Sequence, residues 1–281
     1  MVYLQDYYGS GKAIRKKSVV LFALGMCLIT TTPCKSNTFA YRGTFTTLEA
    51  NDIFSLTNLG NNQDTLFGPS GVGQIKSLEF SPFDGYLYGL NPSMSFYRID
   101  TTTGQASLIK SNIIGGFGES NLAFAQDGTL YAMREVNNDG NIGSLFTIDI
   151  LTGDVTEVVG SSMPYGTTAF AINSQGVGIA WNFSDKWLYE INLDNGSINV
   201  IGSIDWADNQ KFLAFDYAPD GTLYGSKGSS FYFIDTNSST AVKGGNFQVG
   251  GGEGFTIIPE PASLSFLLFG SLAIFHRRKR K

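Results

Sequence analysis

Residues 78–88 read LEFSPFDGYLY, in which two short apolar segments flank an Asp-Gly pair. The same arrangement returns at residues 122–131 (LAFAQDGTLY), at 170–179 (FAINSQGVGI, with Gln-Gly as the pair) and at 213–224 (LAFDYAPDGTLY). Alternating apolar residues around an Asp-Gly pair are a strong local signal for a β-hairpin. We therefore expect four related hairpins along the chain.

A second element accompanies the hairpins, a short strand that ends in a polar residue. It occurs as IFSLT (53–57), FYRID (96–100), LFTID (145–149), LYEIN (188–192) and FYFID (231–235). Anchored on Leu56, Ile99, Ile148, Ile191 and Ile234, the copies are 43, 49, 43 and 43 residues apart. Anchored on Phe80, Phe124, Ile172 and Phe215, the hairpins are 44, 48 and 43 residues apart. Both series lengthen in the same repeat, which places one insertion at residues 137–143.

A repeat of roughly 44 residues with two hairpins is typical of one four-stranded blade of a β-propeller. We predict an all-β, five-bladed propeller over residues 41–258. The final strand, Gly254–Ile258, is expected to complete the blade begun by Tyr41–Phe67 and to close the ring without an open sheet edge. The repeats resemble the broad group of propellers with Leu-Tyr and Ile-Asp-x-x-Thr-Gly signatures, a likeness that implies a fold and no activity. A two-sheet sandwich is the alternative.

Composition agrees with a folded β protein. Hydrophobic residues make up 42%, charged residues 15% and aromatic residues 14% of the 281 positions, which excludes a disordered chain or a coiled coil. Nine of the 19 basic and 22 of the 24 acidic residues lie in 41–258, so this part carries a net charge of −13. Such a surface repels phosphate backbones, and nucleic acid is not an expected partner.

The N-terminal residues 1–40 have the three-part order of a secretory signal peptide. Lys12, Arg15, Lys16 and Lys17 precede the apolar stretch 18–29, and small residues follow up to Ala40. We predict cleavage after Ala40, with an upstream extension before the basic start. Residues 41–258 are thereby expected to be exported.

The C-terminal residues 259–281 contain a short apolar segment between two motifs. Residues 262–275 form a span of fourteen, about 21 Å as a helix against a hydrocarbon thickness of roughly 30 Å. The triplet Pro259, Glu260 and Pro261 precedes this span, and a basic stop signal follows it: Arg277, Arg278, Lys279, Arg280 and Lys281. The segment resembles the PEP-CTERM sorting signal of Gram-negative bacteria. The resemblance implies an exosortase-type membrane transpeptidase as partner, transient membrane association through the C-terminal helix, export across the inner membrane and a place at the cell surface or in an exopolysaccharide matrix. A permanent tail anchor is the alternative.

A ligand face is expected where the loops between second and third strands meet the blade-to-blade loops, because both open on the same side of a propeller. Flat aromatic rings beside amides and carboxylates suit a sugar ring, which stacks one face and pairs its hydroxyls. The candidate ligand residues on this face are Trp181, Asn182, Asp185, Trp187, Trp206, Asp208, Glu119 and Glu253, with Asn91, Arg134, Glu135, Asn209 and Lys227 on the same side. The alternative for Trp181 and Trp187 is packing between blades.

Catalysis is limited by what residues 41–258 lack. Cys27, Cys34 and His276 all lie outside them, so a Ser-His-Asp triad, a thiol nucleophile and an imidazole metal site are excluded. We expect no catalytic residues, no metal and no cofactor. Glu135 to Asn141 has the start of a calcium loop, but its twelfth position is Phe146 instead of Glu; we expect a long hairpin loop, with calcium as the alternative.

The functional prediction is an exported surface or matrix protein whose non-enzymatic propeller binds polysaccharide or another exported protein. The alternative is a carboxylate-dependent glycosidase acting on exopolysaccharide, which needs two carboxyls about 5–10 Å apart. A deep cleft with converging acids among Glu119, Glu253, Asp185 and Asp208 would favour the enzyme. A shallow aromatic surface would favour binding.

Overall fold

The computed structural model describes residues 38–45, 53–114, 120–134, 143–204, 211–248 and 251–258. Several predictions lie outside these residues: the signal peptide up to residue 37, the sorting signal at 259–281, the calcium loop, and the side chains of Glu119, Glu135, Trp206, Asp208 and Asn209. They stay predictions. In the described part of the chain no helix is long and apolar enough to cross a membrane.

The described residues form five four-stranded antiparallel sheets, which are the blades. Blade 1 contains β1 (Phe39–Phe45), β2 (Ile53–Asn58), β3 (Gln63–Pro69) and, from the other end of the chain, β20 (Gly251–Ile258). Blade 2 contains β4 (Ser77–Phe80), β5 (Leu87–Leu90), β6 (Phe96–Ile99) and β7 (Ala106–Lys110). Blade 3 contains β8 (Ser120–Phe124), β9 (Leu130–Arg134), β10 (Ser144–Ile148) and β11 (Val155–Glu157). Blade 4 contains β12 (Thr167–Ile172), β13 (Val177–Asn182), β14 (Trp187–Asn192) and β15 (Ile198–Ser203). Blade 5 contains β16 (Ala214–Tyr217), β17 (Leu223–Lys227), β18 (Ser230–Asp235) and β19 (Thr240–Asn246).

Ring closure occurs as predicted, within blade 1. Strand β1 pairs with β2 on one side and with the C-terminal β20 on the other, where Tyr41 faces Thr256 and Ala40 faces Ile257. The five-bladed propeller is therefore confirmed and the sandwich is excluded. Strand β1 begins at Phe39, two residues before the expected start of the domain, and Ala40 is fully buried. Cleavage after Ala40 would separate both residues from their pairing partners.

The four predicted hairpins are present and depend on their glycines. Gly85, Gly128, Gly176 and Gly221 have φ between 75° and 89°, the left-handed region that favours glycine. The fourth hairpin has a different register from the one expected. Tyr217 pairs with Leu223 as Phe124 pairs with Leu130, whereas the anchor Phe215 pairs with Gly225. Tyr217, not Phe215, is therefore the equivalent residue in blade 5.

The core consists of five apolar clusters, each between two neighbouring blades. The cluster between blades 4 and 5 shows the packing. The Trp181 and Phe212 rings meet edge to face with centroids 5.1 Å apart, an orientation that aromatic pairs prefer. No single central core exists among the described residues, because the inner strands surround an axial space.

Buried hydrogen bonds also join neighbouring blades near the axis. The Asn121 side-chain amide of blade 3 donates to the Thr168 carbonyl of blade 4 over 2.6 Å. The Thr168 hydroxyl then donates to the Phe212 carbonyl, just before blade 5, over 2.8 Å. These bonds satisfy polar groups that burial would otherwise leave without water.

A buried ion pair stabilises blade 1 next to the closing strand. The Arg42 guanidinium contacts the Asp64 carboxylate at 2.8 Å, and their side chains are 0% and 1% exposed. Arg42 also donates to the Thr57 hydroxyl and lies 3.9 Å above the Phe247 ring of the segment that follows blade 5. Burial lowers the pKa of Arg42 to about 10, against the opposing effect of the Asp64 charge. The Asp64 carboxylate thus stabilises the charged form of the buried Arg42 guanidinium.

Asp64→Asn is expected to lower the free energy of unfolding by about 3–5 kcal/mol, because it leaves the buried Arg42 without its carboxylate. Urea unfolding of the full-length protein measures this. The control is Asp154→Asn, which breaks the exposed Lys110–Asp154 pair and should change little. Equal effects of the two substitutions would contradict a special role for the buried pair.

Candidate functional site

A cavity of about 930 Å³ opens at one end of the propeller axis and extends along blade 5 as far as Val242 of its outermost strand. All five innermost strands line it, through Phe80, Phe124, Ile172, Tyr217 and Ile257, and two of them add an acid, Glu79 and Asp216. The cavity is at the end where the hairpins between first and second strands turn. This is the face opposite to the predicted one, and its volume is that of a small-molecule site.

Asp216, on the innermost strand of blade 5, lies against the closing strand. It is 9% exposed. Its Oδ2 accepts hydrogen bonds from the Thr256 hydroxyl at 2.9 Å and from the Ile257 N–H at 2.6 Å, and its Oδ1 accepts from the Tyr217 N–H at 2.7 Å. Three donors to one carboxyl favour its ionised form.

Glu79, on the innermost strand of blade 2, is 6% exposed. Its Oε1 accepts from the Phe124 N–H of blade 3 at 3.2 Å. The Thr256 hydroxyl, which donates to Asp216, accepts from the Phe80 N–H beside Glu79 at 3.1 Å. Thr256 thus links Asp216 to the main chain next to Glu79.

The two carboxyls have raised pKa values. Burial raises the pKa of Glu79 well above its ordinary value, and the charge of Asp216 raises it further. Burial raises the pKa of Asp216 to about 6, although the bonds from Ile257, Thr256 and Tyr217 oppose the increase. A buried acid pair of this kind in a cavity is typical of a functional site.

The remaining lining favours a neutral, hydroxyl-rich ligand. It contains no Lys, Arg or His among the described residues, and it carries the amides of Gln126, Asn173, Gln175 and Asn237. Phe83 lines the mouth and is 56% exposed. Amides and a carboxylate pair with hydroxyls, and a free aromatic ring stacks on the apolar face of a sugar.

Trp181 and Asn182 are buried, although the sequence predicts them to be exposed on the ligand face. Trp181 is 0% exposed and packs between blades 4 and 5, as the alternative had it. Asn182 is also fully buried, and its amide donates to the Tyr165 carbonyl while its Oδ1 accepts from the Ser184 N–H. Its side chain shapes the loop instead of facing solvent.

The other described acids of the predicted face, Asp185 and Glu253, contact residues close to them in the fold. Trp187 is 41% exposed. The Asp185 carboxylate accepts from the Tyr189 hydroxyl and from the Trp187 N–H within its own blade. The Glu253 carboxylate accepts from Gln74 and lies 3.8 Å from Lys76. Their role in ligand binding stays a prediction.

Three further residues expected on that face are also used by the fold. Asn91 Oδ1 accepts from the Ser95 N–H, which parallels the role of Asn182. Arg134 donates to the Ile114 carbonyl at 3.1 Å. Lys227 is 2% exposed, with its ammonium 5.7 Å from the centre of the Tyr232 ring.

Sequence reasoning missed Glu79 and Asp216, although a signal exists. Both are acids inside apolar innermost strands, at the position that pairs with the Tyr of the Leu-Tyr signature: Glu79 faces Tyr88 and Asp216 faces Tyr224. The equivalent residue in blade 3 is Ala123, opposite Tyr131. An acid at a position that another repeat fills with alanine indicates a role beyond core packing.

Comparisons with known proteins show the fold alone. No family model and no curated protein matches the chain. Among solved structures, a chain of a nidogen/laminin complex has a TM-score of 0.54 at 14% identity, covering 78% of this chain and 97% of its own. A gluconolactonase from Xanthomonas campestris has a TM-score of 0.50 at 11% identity, covering 80% and 87%. A structural-genomics target described as a putative gluconolactonase has a TM-score of 0.50 at 11% identity, covering 76% and 79%.

The two gluconolactonases overturn the expectation that this propeller is non-enzymatic. That expectation depended on the absence of His and Cys from residues 41–258, but propellers of this shape include enzymes. At 11% identity the likeness assigns no activity to this chain. In the described residues no group of three or more Asp, Glu, His or Cys side chains is placed to hold a metal ion.

Proposed function

We propose that this chain is an exported propeller of the bacterial cell surface that binds one unit of a neutral polysaccharide in its axial cavity. The single observation that carries the binding proposal is the cavity itself, with an acid pair at Glu79 and Asp216, amides around it and no basic side chain among its described lining. An anionic sugar would meet negative charge there without a compensating cation.

Export and sorting are proposed from the two ends of the sequence. The basic start, apolar stretch and small residues before Tyr41 support a cleaved signal peptide. Pro259, Glu260 and Pro261, the short apolar span and the basic end support processing by an exosortase-type enzyme in a Gram-negative bacterium. The acidic body, net −13 over residues 41–258, suits a soluble matrix protein.

The cavity favours polysaccharide over an exported protein as the ligand. Its volume of about 930 Å³ accommodates a small molecule or one or two sugar rings, whereas stable protein interfaces use about 800 Å² of each partner's surface. Phe83 at the mouth supplies an exposed ring for stacking.

Hydrolysis of a glycosidic bond is the second candidate function. The observation that favours it is a pair of carboxyls in different environments. Asp216 accepts three hydrogen bonds, which favour its ionised form, whereas Glu79 accepts one main-chain bond and takes up a proton more readily. Such a pair provides an acid and a carboxylate side by side. Binding ranks first because both carboxyls already accept main-chain hydrogen bonds that join blades.

Phe83→Ala is expected to weaken glycan binding by about 1–3 kcal/mol, because it removes an aromatic contact at the cavity mouth. Titration calorimetry with the glycan that the full-length protein selects on an array measures the change. The matched variant is Trp187→Ala, an exposed aromatic on the opposite face, which should leave affinity unchanged. If Trp187→Ala lost binding and Phe83→Ala did not, the ligand site would lie on the opposite face, which carries Trp187.

Hydrolysis is tested by release of reducing ends from the same glycan. If the pair is catalytic, Glu79→Gln should reduce the rate by about 100-fold or more, since the amide has no transferable proton. The control is Glu157→Gln, an exposed glutamate of blade 3. Turnover that persists in Glu79→Gln would remove the second candidate and leave binding intact.

Processing of the C-terminus is tested by mass spectrometry of protein recovered from the cell surface. We expect a C-terminus near Pro259–Pro261, without Arg277 to Lys281, because sorting removes the apolar span. Glu260→Gln is a conservative change of the triplet and should leave unprocessed chains in the inner membrane. A surface form that retains residues 275–281 would support a permanent anchor instead.

A further inference from the structure

The hydroxyl of Thr256 has one hydrogen, and it is donated to Asp216 Oδ2 at 2.9 Å. The same hydroxyl accepts from the Phe80 N–H, of the residue next to Glu79, at 3.1 Å. A hydroxyl can donate only once. The hydrogen of Thr256 is therefore used by Asp216 and does not satisfy the Glu79 carboxyl.

We propose that Glu79 and Asp216 hold a single proton at neutral pH, carried by Glu79, and that its release at higher pH weakens the closure of the ring. The inference concerns the proposed ligand site but holds without any ligand.

The hydrogen-bond donors place the proton on Glu79. Asp216 accepts three hydrogen bonds, from Tyr217, Thr256 and Ile257, whereas Glu79 accepts one main-chain bond, from Phe124. The more fully solvated carboxylate keeps its charge, and the other takes the proton.

Among the described lining residues no Lys, Arg or His is present to stabilise a second charge. Asp235 lines the same cavity, and the titratable groups on neighbouring strands are the phenols of Tyr88, opposite Glu79, Tyr224, opposite Asp216, and Tyr217. Loss of the proton would leave two buried carboxylates with no cation among those residues to balance them.

Ring closure depends on this proton because of where Thr256 lies. It belongs to β20, the strand that closes blade 1, and it joins blade 5 through Asp216 and blade 2 through Phe80. Repulsion between the carboxylates therefore acts on the contacts of β20 with both neighbouring blades.

The direction of the pH effect follows from linkage. Burial raises the pKa of Glu79 in the folded protein, so folding binds a proton and the stabilisation is complete below the ordinary glutamate pKa. It is lost as pH rises through the raised pKa. Asp216, whose pKa is raised to about 6, contributes to stability in the same direction. Its smaller contribution is lost as pH rises through about 6, which is before Glu79 loses its own.

The test is urea unfolding of the full-length protein from about pH 5 to about pH 9. In the wild type, the unfolding constant should rise with pH by up to about tenfold per pH unit between the ordinary glutamate pKa and the raised pKa of Glu79, where the folded protein holds a proton that the unfolded chain has released. Glu79→Gln, whose side-chain carbonyl still accepts from the Phe124 N–H, should fold and lose the part of this rise that Glu79 causes. Glu157→Gln should keep it.

Infrared spectroscopy of the wild type gives a second readout that needs no variant to fold. A protonated carboxylic acid band should be present at neutral pH and should disappear as pH rises. Absence of that band, or an unchanged pH slope in Glu79→Gln, would overturn the inference. Neither measurement uses a sugar, so failure here is distinct from failure of the binding proposal.

Discussion

The fold depends on the joining of two strands from opposite ends of the described chain, β1 and β20, because a propeller without this pair would expose an open sheet edge. Side-chain hydrogen bonds near the axis reinforce the closure at all five blade boundaries. Asn121 and Thr168 bond across two of them, and Asp216, Thr256 and Glu79 bond across the other three. At about 0.5–1.5 kcal/mol net for each bond, these contacts add up to a substantial part of the stability of a single domain.

The axial bonds explain why acids occupy apolar strands. A buried carboxyl is costly unless donors satisfy it, and Asp216 and Glu79 are satisfied by main-chain N–H groups of the neighbouring blades. The free-energy cost of burying the two carboxyls is thus offset by hydrogen bonds between blades. Removing one partner would leave the others unsatisfied, so the network acts as a unit.

Much of the fold could be predicted because its signals are local. The turns at Gly85 and Gly128 require a left-handed residue, and the repeat spacing shows where each blade begins. The site could not be predicted in the same way. Asn182 turns inward to bond its own loop, which no spacing reveals. The repeat spacing selects Phe215 instead of Tyr217 in blade 5, because two extra residues lie in an apolar stretch where either alignment gives alternation.

The position of Thr256 would couple the proposed ligand site to the stability of the propeller. Its hydroxyl belongs to the closing strand, donates to Asp216 beside the cavity and accepts from the Phe80 N–H of blade 2. A ligand that forms a hydrogen bond with Asp216 would therefore act on the same carboxyl that joins blade 5 to the closing strand. Any ligand that binds the closed ring in preference to the unfolded chain must stabilise the ring by mass action.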